Sequence, residues 1–179
     1  MKRFAQLLVV LGVMVTSTLL ALPYVERLLY PLHYNDQVLH ASQKYGVERN
    51  LVMAVIREES SFAPESTSRV QAKGLMQLLP STAEWIASKR GIPYNASKLS
   101  DPEVNIDLGT WYLRYLLDSF NSDEPLAIKA YNAGITNVKE WEKQQKGYVA
   151  FPETDQFVKR VETSHRIYNR LYGEHWENQ

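Results

Sequence analysis

The sequence predicts an all-α protein in which one mainly helical domain follows an N-terminal transmembrane helix. Segments with apolar residues at helical spacing follow one another along the chain, and glycines or capping residues separate them. No run of alternating β-branched residues and no Asn-Gly or Asp-Gly hairpin signal occurs. The first apolar stretch is long enough to cross a bilayer. The exception that we expect is a minor loop or β-ribbon near Gln71 or Tyr148.

The N-terminal segment is expected to anchor the protein in the cell membrane as a single-pass helix. Residues 1–3 include two basic side chains, and residues 4–22 carry no charge. A helix over that stretch spans about 28 Å, close to the hydrocarbon thickness of a bilayer. The positive-inside rule places the N-terminus in the cytoplasm and the bulk of the chain outside it. Residues 23–34 then form a connector at the membrane surface.

A cleaved signal peptide and a buried core helix are the two alternatives to an anchor. A cleaved signal peptide would release a secreted protein, but the apolar run is long for one and its exit lacks a clear small-x-small site. A buried core helix is disfavoured because an uncharged stretch of this length has no polar face.

The remaining helices are expected to form a single domain over residues 35–173, followed by a tail over residues 174–179. A Ser81–Glu84 capping box, Asp101 and Thr136 are predicted helix starts, and Gly46 is a predicted helix end. In chain order the predicted helices cover residues 36–45, 51–62, 81–90, 102–117, 125–134, 137–145 and 153–172.

Composition excludes several classes of function. The 20 basic and 20 acidic residues balance, so no cationic surface for nucleic acid is expected. Cysteine is absent, which excludes disulfides, thiolate metal sites, a cysteine nucleophile and a cysteine-linked lipid anchor. The four histidines have no zinc-site spacing, and neither a metal nor a cofactor is expected. Three tryptophans at helical spacing are interpreted as core residues rather than sugar platforms; they are Trp85, Trp111 and Trp141.

One carboxylate is unusual for a plain amphipathic helix. On a helical wheel of residues 51–62, Glu59 falls inside the apolar stripe, whereas Glu58 falls on its edge. Glu59 also lies in the last turn before Pro64, where the helix dipole disfavours negative charge. Burial and the dipole both raise the pKa of a carboxyl group, which suits a general acid. A glutamate paired with a lysine or arginine is the alternative that this helix alone leaves open.

Four sequence blocks in order resemble the soluble lytic transglycosylase family. The first joins Glu59–Phe62 and Ser68 to the Gly-Leu-Met-Gln run that begins at Gly74. The next contains Asp101-Pro102 and a Tyr-Leu pair, the third reads Ala-Tyr-Asn-Ala-Gly at residues 130–134, and the last covers the closing helix. The resemblance spans roughly residues 36 to 172. In one departure, Gln71 stands where many members have a small residue, and the local loop shape is therefore in doubt.

This resemblance implies a lysozyme-like, largely helical fold that binds the glycan strands of bacterial peptidoglycan. The family cleaves the β-1,4 bond from N-acetylmuramic acid to N-acetylglucosamine and leaves 1,6-anhydro ends. The resemblance makes Glu59 the catalytic acid and base. The positions that it places at the substrate or near the acid are Ser60, Ser68, Met76, Gln77, Tyr131, Asn132 and Tyr168.

The residues around Glu59 indicate how the reaction runs. No second carboxylate stands out beside Glu59 in the sequence, whereas two-carboxylate glycosidases need one. One acid suits an internal route, in which the sugar's own C6 hydroxyl attacks and no metal is needed. The alternatives are a goose-type-like lysozyme that hydrolyses with water, and a membrane-anchored glycan-binding module without turnover. The sequence names no protein partner.

Overall fold

The computed structural model describes residues 2–143 and 152–176, which fall into two units, Met1–Pro31 and Leu32–Gln179. The first unit is a single helix, α1, at Lys2–Leu29. The helix continues through Pro23 into the stretch expected as a connector. Its part from Gln6 to Leu29 is long and apolar enough to cross a membrane, by length and composition. The hydroxyls of Thr16 and Thr18 donate to the carbonyls four residues earlier, at 2.8 and 2.9 Å.

The second unit is helical throughout its described residues, apart from loops, and the prediction of an all-α domain is confirmed. Its helices are α2 at Asn35–Tyr45, α3 at Arg49–Ser60, α4 at Pro80–Arg90, α5 at Pro102–Ser119, α6 at Glu124–Ala133, α7 at Ile135–Lys143 and α8 at Pro152–Trp176. A short 3₁₀ helix, Ala96–Lys98, precedes α5. No β-strand occurs among the described residues, and the possible ribbon at Tyr148 falls outside them.

Several predicted helix ends are confirmed. Gly46 follows α2 with a left-handed φ of 63°, as a C-terminal glycine should. The Asp101 side chain accepts hydrogen bonds from the backbone N–H groups of Glu103 and Val104 at the start of α5. The helix that carries Glu59 lies two residues earlier than the predicted range 51–62, because it begins at Arg49 and Ser61, with a φ of 50°, ends it at Ser60.

Two predicted caps are wrong. Helix α4 begins at Pro80 rather than after Ser81, because proline has no N–H to satisfy and its fixed φ suits the first helical position. Helix α7 begins at Ile135, directly after Gly134, so Thr136 lies inside the helix. The predicted end of this helix at Gln145 lies outside the described residues.

Helix α3 forms the centre of the domain. Its residues 52–56 are completely buried, because α3 packs against α8 on one side and α2 on another. Helix α5 packs against α2, α4 and α6, and α6 packs against α8. The carboxyl end of α3 therefore reaches a point where the loop after it, α5, α6 and α8 can all contribute side chains.

The loop between α3 and α4 has the residual β character that the sequence suggested near Gln71. Isolated antiparallel bridges join Thr67 to Lys73 and Lys73 to Leu78. Gln71 itself adopts a φ of 65°, so the turn takes the left-handed conformation although glycine is absent. The doubt about loop shape is thereby resolved: the turn forms with Gln71 in a conformation that glycine would adopt at lower cost.

The packing of α5 on this loop predicts opposite effects for two helical glycines. A Cβ at Gly109 would overlap the Met76 side chain, with its Cβ at 2.9 Å, whereas a Cβ at Gly173 meets nothing within 4 Å. We expect Gly109→Ala to destabilise the domain by about 1–3 kcal/mol through overpacking. Gly173→Ala is the matched control and should be neutral or stabilising by up to about 1 kcal/mol. Urea denaturation measures both, and equal effects of the two substitutions would contradict the close approach at Gly109.

Candidate active site

Glu59 opens onto a cleft of about 390 Å³. The last turn of α3 supplies Glu59, and the walls come from the following loop, the start of α4, α5, the end of α6 and the start of α8. The lining residues are Glu59, Ser68, Val70, Ala72, Gln77, Leu78, Leu79, Thr82, Tyr112, Tyr131, Asn132, Ala133, Gly134 and Glu153. A larger cavity of about 500 Å³ lies between α2 and α5 and does not contain Glu59.

The protein raises the pKa of Glu59 to about 8. Burial of the carboxyl group is the largest cause, and the negative charge of neighbouring Glu58 adds to it, whereas the positive charge of Arg160 opposes the shift. The residue keeps part of its surface in the cleft, but its carboxyl group is largely removed from water. At neutral pH Glu59 is therefore mostly protonated, which is the form a general acid needs.

Glu58 has a different environment although it is next in sequence. Its carboxylate accepts a hydrogen bond from Ser164 at 2.6 Å and forms an ion pair with Arg160 at 3.3 Å. Both partners lie on α8, so Glu58 joins α3 to α8. The helical-wheel distinction between a glutamate in the apolar stripe and one on its edge agrees with these two environments.

A buried asparagine holds the loop that forms one wall of the cleft. Asn105 of α5 is completely buried, and its Oδ1 accepts a hydrogen bond from the Met76 backbone N–H at 2.7 Å. Its Nδ2 donates to the carbonyls of Lys73 at 2.9 Å and Leu99 at 2.8 Å. Gly74 makes room for this contact, because a Cβ there would lie 2.8 Å from the Leu99 carbonyl oxygen and overlap the asparagine.

Two further side chains tie the same loop to α3 and α6. The Ser60 Oγ lies 2.8 Å from the Leu75 carbonyl oxygen and 3.1 Å from that of Ile56, so its single proton can serve one acceptor at a time. The Tyr131 hydroxyl donates to the Met76 carbonyl at 2.8 Å. Burial raises the pKa of Tyr131 well above its usual value, and the nearby Glu59 raises it further, so the phenol stays a donor.

Among the residues predicted at the site, four accompany Glu59 in the cleft lining: Ser68, Gln77, Tyr131 and Asn132. The Ser68 Oγ accepts a hydrogen bond from the Ala72 N–H at 3.0 Å, which shapes the turn. The Gln77 amide nitrogen donates to the carbonyls of Ser66 at 3.0 Å and Gly74 at 2.8 Å. Its side-chain oxygen remains the group that can accept from a ligand.

The other three predicted residues are not in the lining. Met76 and Tyr168 are completely buried, and Ser60 supports the loop through the bond described above. Direct substrate contact by the side chains of Met76 and Tyr168 does not fit this burial. Tyr168 lies on α8, which packs against α3, and its ring is 6.0 Å from that of Tyr172.

The sequence interpretation missed two residues that matter for the site. Glu153, in the first turn of α8, lines the cleft as a second carboxylate. An acid in a first turn is usually explained by the helix dipole, so local sequence gave no reason to single it out. Asn105 carried a usable signal, because with Leu108 and Tyr112 it shares the buried stripe of α5 and a polar residue there needs partners.

Comparison with known proteins agrees with this geometry. The family model described as the transglycosylase SLT domain matches residues 36–151. The chain belongs to the SLT family. That match covers most of the second unit, and it includes Glu59, the loop, α5 and α6. Among the described residues no group of three or more His, Asp or Glu side chains is arranged to hold a metal ion.

Two lytic murein transglycosylases are among the proteins similar to the SLT chain. It is 33% identical over 156 residues to the soluble lytic murein transglycosylase of Escherichia coli, covering 81% of this chain and 24% of that protein. It is 41% identical over 116 residues to membrane-bound lytic murein transglycosylase C of Edwardsiella ictaluri, covering 59% of this chain and 32% of that protein. The chain thus spans about a quarter to a third of the length of these relatives.

Solved structures share the fold. The 70-kDa soluble lytic transglycosylase in complex with bulgecin A aligns with a TM-score of 0.76 at 33% identity, covering 80% of this chain and 25% of that one. An inactive mutant of the lytic transglycosylase Slt from Pseudomonas aeruginosa aligns with a TM-score of 0.73 at 33% identity, covering 79% and 24%. The lysozyme-like, helical architecture expected from the sequence is confirmed.

The raised pKa of Glu59 predicts a pH-dependent cost in stability. The pKa of Glu59 is about 8 in the folded protein, against an ordinary value of 4.5. Between pH 4.5 and about pH 8, the folded protein therefore keeps a proton on Glu59 that the unfolded chain has released. Relative to Glu59→Gln, the wild type should be at its most stable below about pH 4.5 and should lose stability as the pH rises to about 8. Urea denaturation of both proteins across this range should show a swing on the order of a few kcal/mol. A difference that does not change with pH would contradict the burial of this carboxyl group.

Proposed function

We propose that this protein is a lytic transglycosylase that cleaves the glycan strands of peptidoglycan. The bond is that from N-acetylmuramic acid to N-acetylglucosamine, and the product carries a 1,6-anhydro end. The observation that carries the proposal is a buried carboxyl group, that of Glu59, which has a pKa of about 8 and lines a cleft in an SLT domain. The names of the relatives and the bulgecin complex of a structural neighbour support it.

The first chemical step uses the proton that Glu59 holds at neutral pH. The carboxyl group donates this proton to the glycosidic oxygen as the bond from C1 to that oxygen breaks, and the N-acetylglucosamine side leaves as an alcohol. Positive charge develops at C1 of the muramic acid residue. The oxygen of its own 2-acetamido group shields this charge, as in substrate-assisted glycosidases.

In the second step Glu59 acts as a base. Its carboxylate, now ionised in a site that disfavours the charge, takes the proton of the C6 hydroxyl while O6 bonds to C1. The ring closes without a water molecule, and Glu59 is again protonated. An internal nucleophile has a high effective concentration, so the route succeeds without complete exclusion of water.

The cleft residues take supporting roles in this proposal. The Ser68 hydroxyl and the Gln77 and Asn132 amides provide hydrogen-bonding groups for sugar hydroxyls and acetamido groups. Tyr131 forms part of the opposite wall and fixes the loop. Tyr168 is a candidate positioning residue for Glu59 from within the interface between α3 and α8.

A hydrolytic lysozyme is the second candidate, and Glu153 favours it. A second carboxylate in the same cleft is what a water-using or double-displacement glycosidase needs. A glycan-binding module without turnover is disfavoured, because binding alone does not require a buried carboxyl group whose burial lowers stability.

We further propose that α1 anchors the protein, with the N-terminus in the cytoplasm and the SLT domain outside the membrane. The length and apolar composition of α1 support this, as do the basic residues at its start. The threonine hydroxyls of α1 bond within the helix, so they present no unsatisfied donors to lipid. A membrane-bound relative is consistent with this arrangement.

Product analysis tests the proposed reaction. Peptidoglycan digested by the full chain should yield anhydro ends, which mass spectrometry distinguishes from reducing ends by the mass of one water. Glu59→Gln should lose nearly all activity, on the order of 10²-fold or more, because an amide cannot donate and retake the proton. Glu153→Gln separates the two candidates. It should retain measurable anhydro product, whereas abolished activity together with reducing ends in the wild-type digest would establish the hydrolytic alternative.

Fractionation tests the anchor. The full chain should remain in the membrane fraction after alkaline carbonate extraction, and its C-terminal part should be accessible to protease added from outside the membrane. Placing two charged residues in the middle of α1 should release it, since each charge costs about 2.5–3.5 kcal/mol at the helix centre. A mature protein that begins after about residue 22 and is soluble would instead indicate a cleaved signal peptide.

A further inference from the structure

A second, smaller groove adjoins the cleft. It has a volume of about 210 Å³ and is lined by Ser81, Thr82, Trp85, Tyr112 and Ile135. Thr82 and Tyr112 also line the cleft that contains Glu59. The two cavities are therefore adjacent, which places the groove next to any strand bound in the cleft. We call this cavity the Trp85 groove.

Surrounding aromatic rings hold Trp85 in a defined orientation. Its ring centroid lies 5.1 Å from that of Tyr115, 6.0 Å from Trp111 and 6.1 Å from Tyr112, all in edge-to-face contacts. Tyr112 in turn contacts Tyr131 of the cleft wall at 5.5 Å. The half-buried indole is thus both a member of this aromatic cluster and a wall of the groove, and its neighbours already order it before a ligand binds.

The rim of the groove carries polar groups at the start of α4. The hydroxyls of Ser81 and Thr82 have no hydrogen-bond partner among the residues that the structure describes. The helix start also has no side-chain cap, because Leu79 occupies the N-cap position and Pro80 follows it. The groove therefore combines an aromatic wall with uncharged hydrogen-bonding groups at its edge.

We propose that the Trp85 groove is a binding site for one further N-acetylhexosamine ring of the glycan strand held in the cleft. A pyranose ring presents C–H groups on its faces and hydroxyls around its rim, which matches an indole wall bordered by hydroxyls. The Lys89 Nζ lies 5.8 Å from the Trp85 ring centroid, and its exposed, flexible side chain can move aside. This inference rests on the proposed function, because the occupant is the continuation of that substrate. It predicts that Trp85 makes the protein bind longer glycan strands more tightly than short ones.

Oligosaccharide binding tests the groove separately from the reaction. The full chain carrying Glu59→Gln is titrated with chitin oligosaccharides of increasing length, alone and with Trp85→Leu, which keeps apolar bulk in the cluster. The leucine variant should bind the longest oligosaccharides about five- to tenfold more weakly and the shortest ones unchanged. Trp111→Phe is the matched control, because Trp111 belongs to the same cluster but is not in the groove lining, and it should not change the length dependence.

A second measurement keeps the proposal testable where the leucine variant folds poorly. Trp85→Phe preserves an aromatic ring and should preserve binding, but it should remove a fluorescence change that only long oligosaccharides produce. An equal loss for all lengths, no loss at all, or a fluorescence change that survives Trp85→Phe would overturn the groove assignment. The proposed function fails in a different way, namely when wild-type digests of peptidoglycan contain no anhydro product.

Discussion

The active site depends on satisfying the buried backbone of the loop at residues 73–77. Backbone bonds pair some of its groups, such as those between Lys73 and Leu78. The Met76 N–H and the Leu75 and Met76 carbonyls have no backbone partner among the described residues, and unpaired buried groups are costly. The Asn105 amide of α5 bonds to two groups of this loop, the Met76 N–H and the Lys73 carbonyl, and also to the Leu99 carbonyl outside it. Ser60 of α3 bonds to the Leu75 carbonyl, and Tyr131 of α6 donates to the Met76 carbonyl. The same bonds fix the distances between the wall that carries Gln77 and the helix that carries Glu59. The hydrogen bonds that satisfy the loop backbone are therefore also the bonds that position the active-site residues.

The site also concentrates unfavourable features that the rest of the domain must offset. Ser61, Gln71 and Gln77 have left-handed backbone conformations without being glycine. Glu59 is buried, and its carboxyl group forms no ion pair with a described residue. Part of the compensation is an ion-pair cluster away from the cleft. Burial lowers the pKa of His165, but carboxylates of Glu124 and Glu48 at 3.0 Å outweigh it and raise that pKa to about 9. This cluster contributes fully below about pH 6.5 and is lost as the pH rises through about 9, so it and the neutral Glu59 both favour mildly acidic conditions.

The sequence predicted those features that depend on one helix at a time. The position of Glu59 in an apolar stripe, the Asp101 cap and the glycine end of α2 follow from helical geometry and side-chain length. The predictions failed where neighbouring residues compete. Pro80 displaced the start of α4 from Ser81, and the left-handed Ser61 ended α3 two residues before the predicted end. Glu153 could not have been found from its own helix, since its place in the cleft follows from how α8 packs against α3.

Trp85 shows why binary patterning underestimates a binding surface. The sequence predicts a core residue, but Trp85 is only half-buried although it contacts three aromatic rings. A large ring has several faces and edges, however, and burial of some leaves others to form the wall of a groove. Packing and binding are therefore compatible roles for one side chain. The contacts that order the ring in the free protein lower the conformational entropy that is lost when a ligand binds. The same reasoning applies to Tyr131, whose ring packs on Tyr112 while its hydroxyl fixes the loop and its surface lines the cleft.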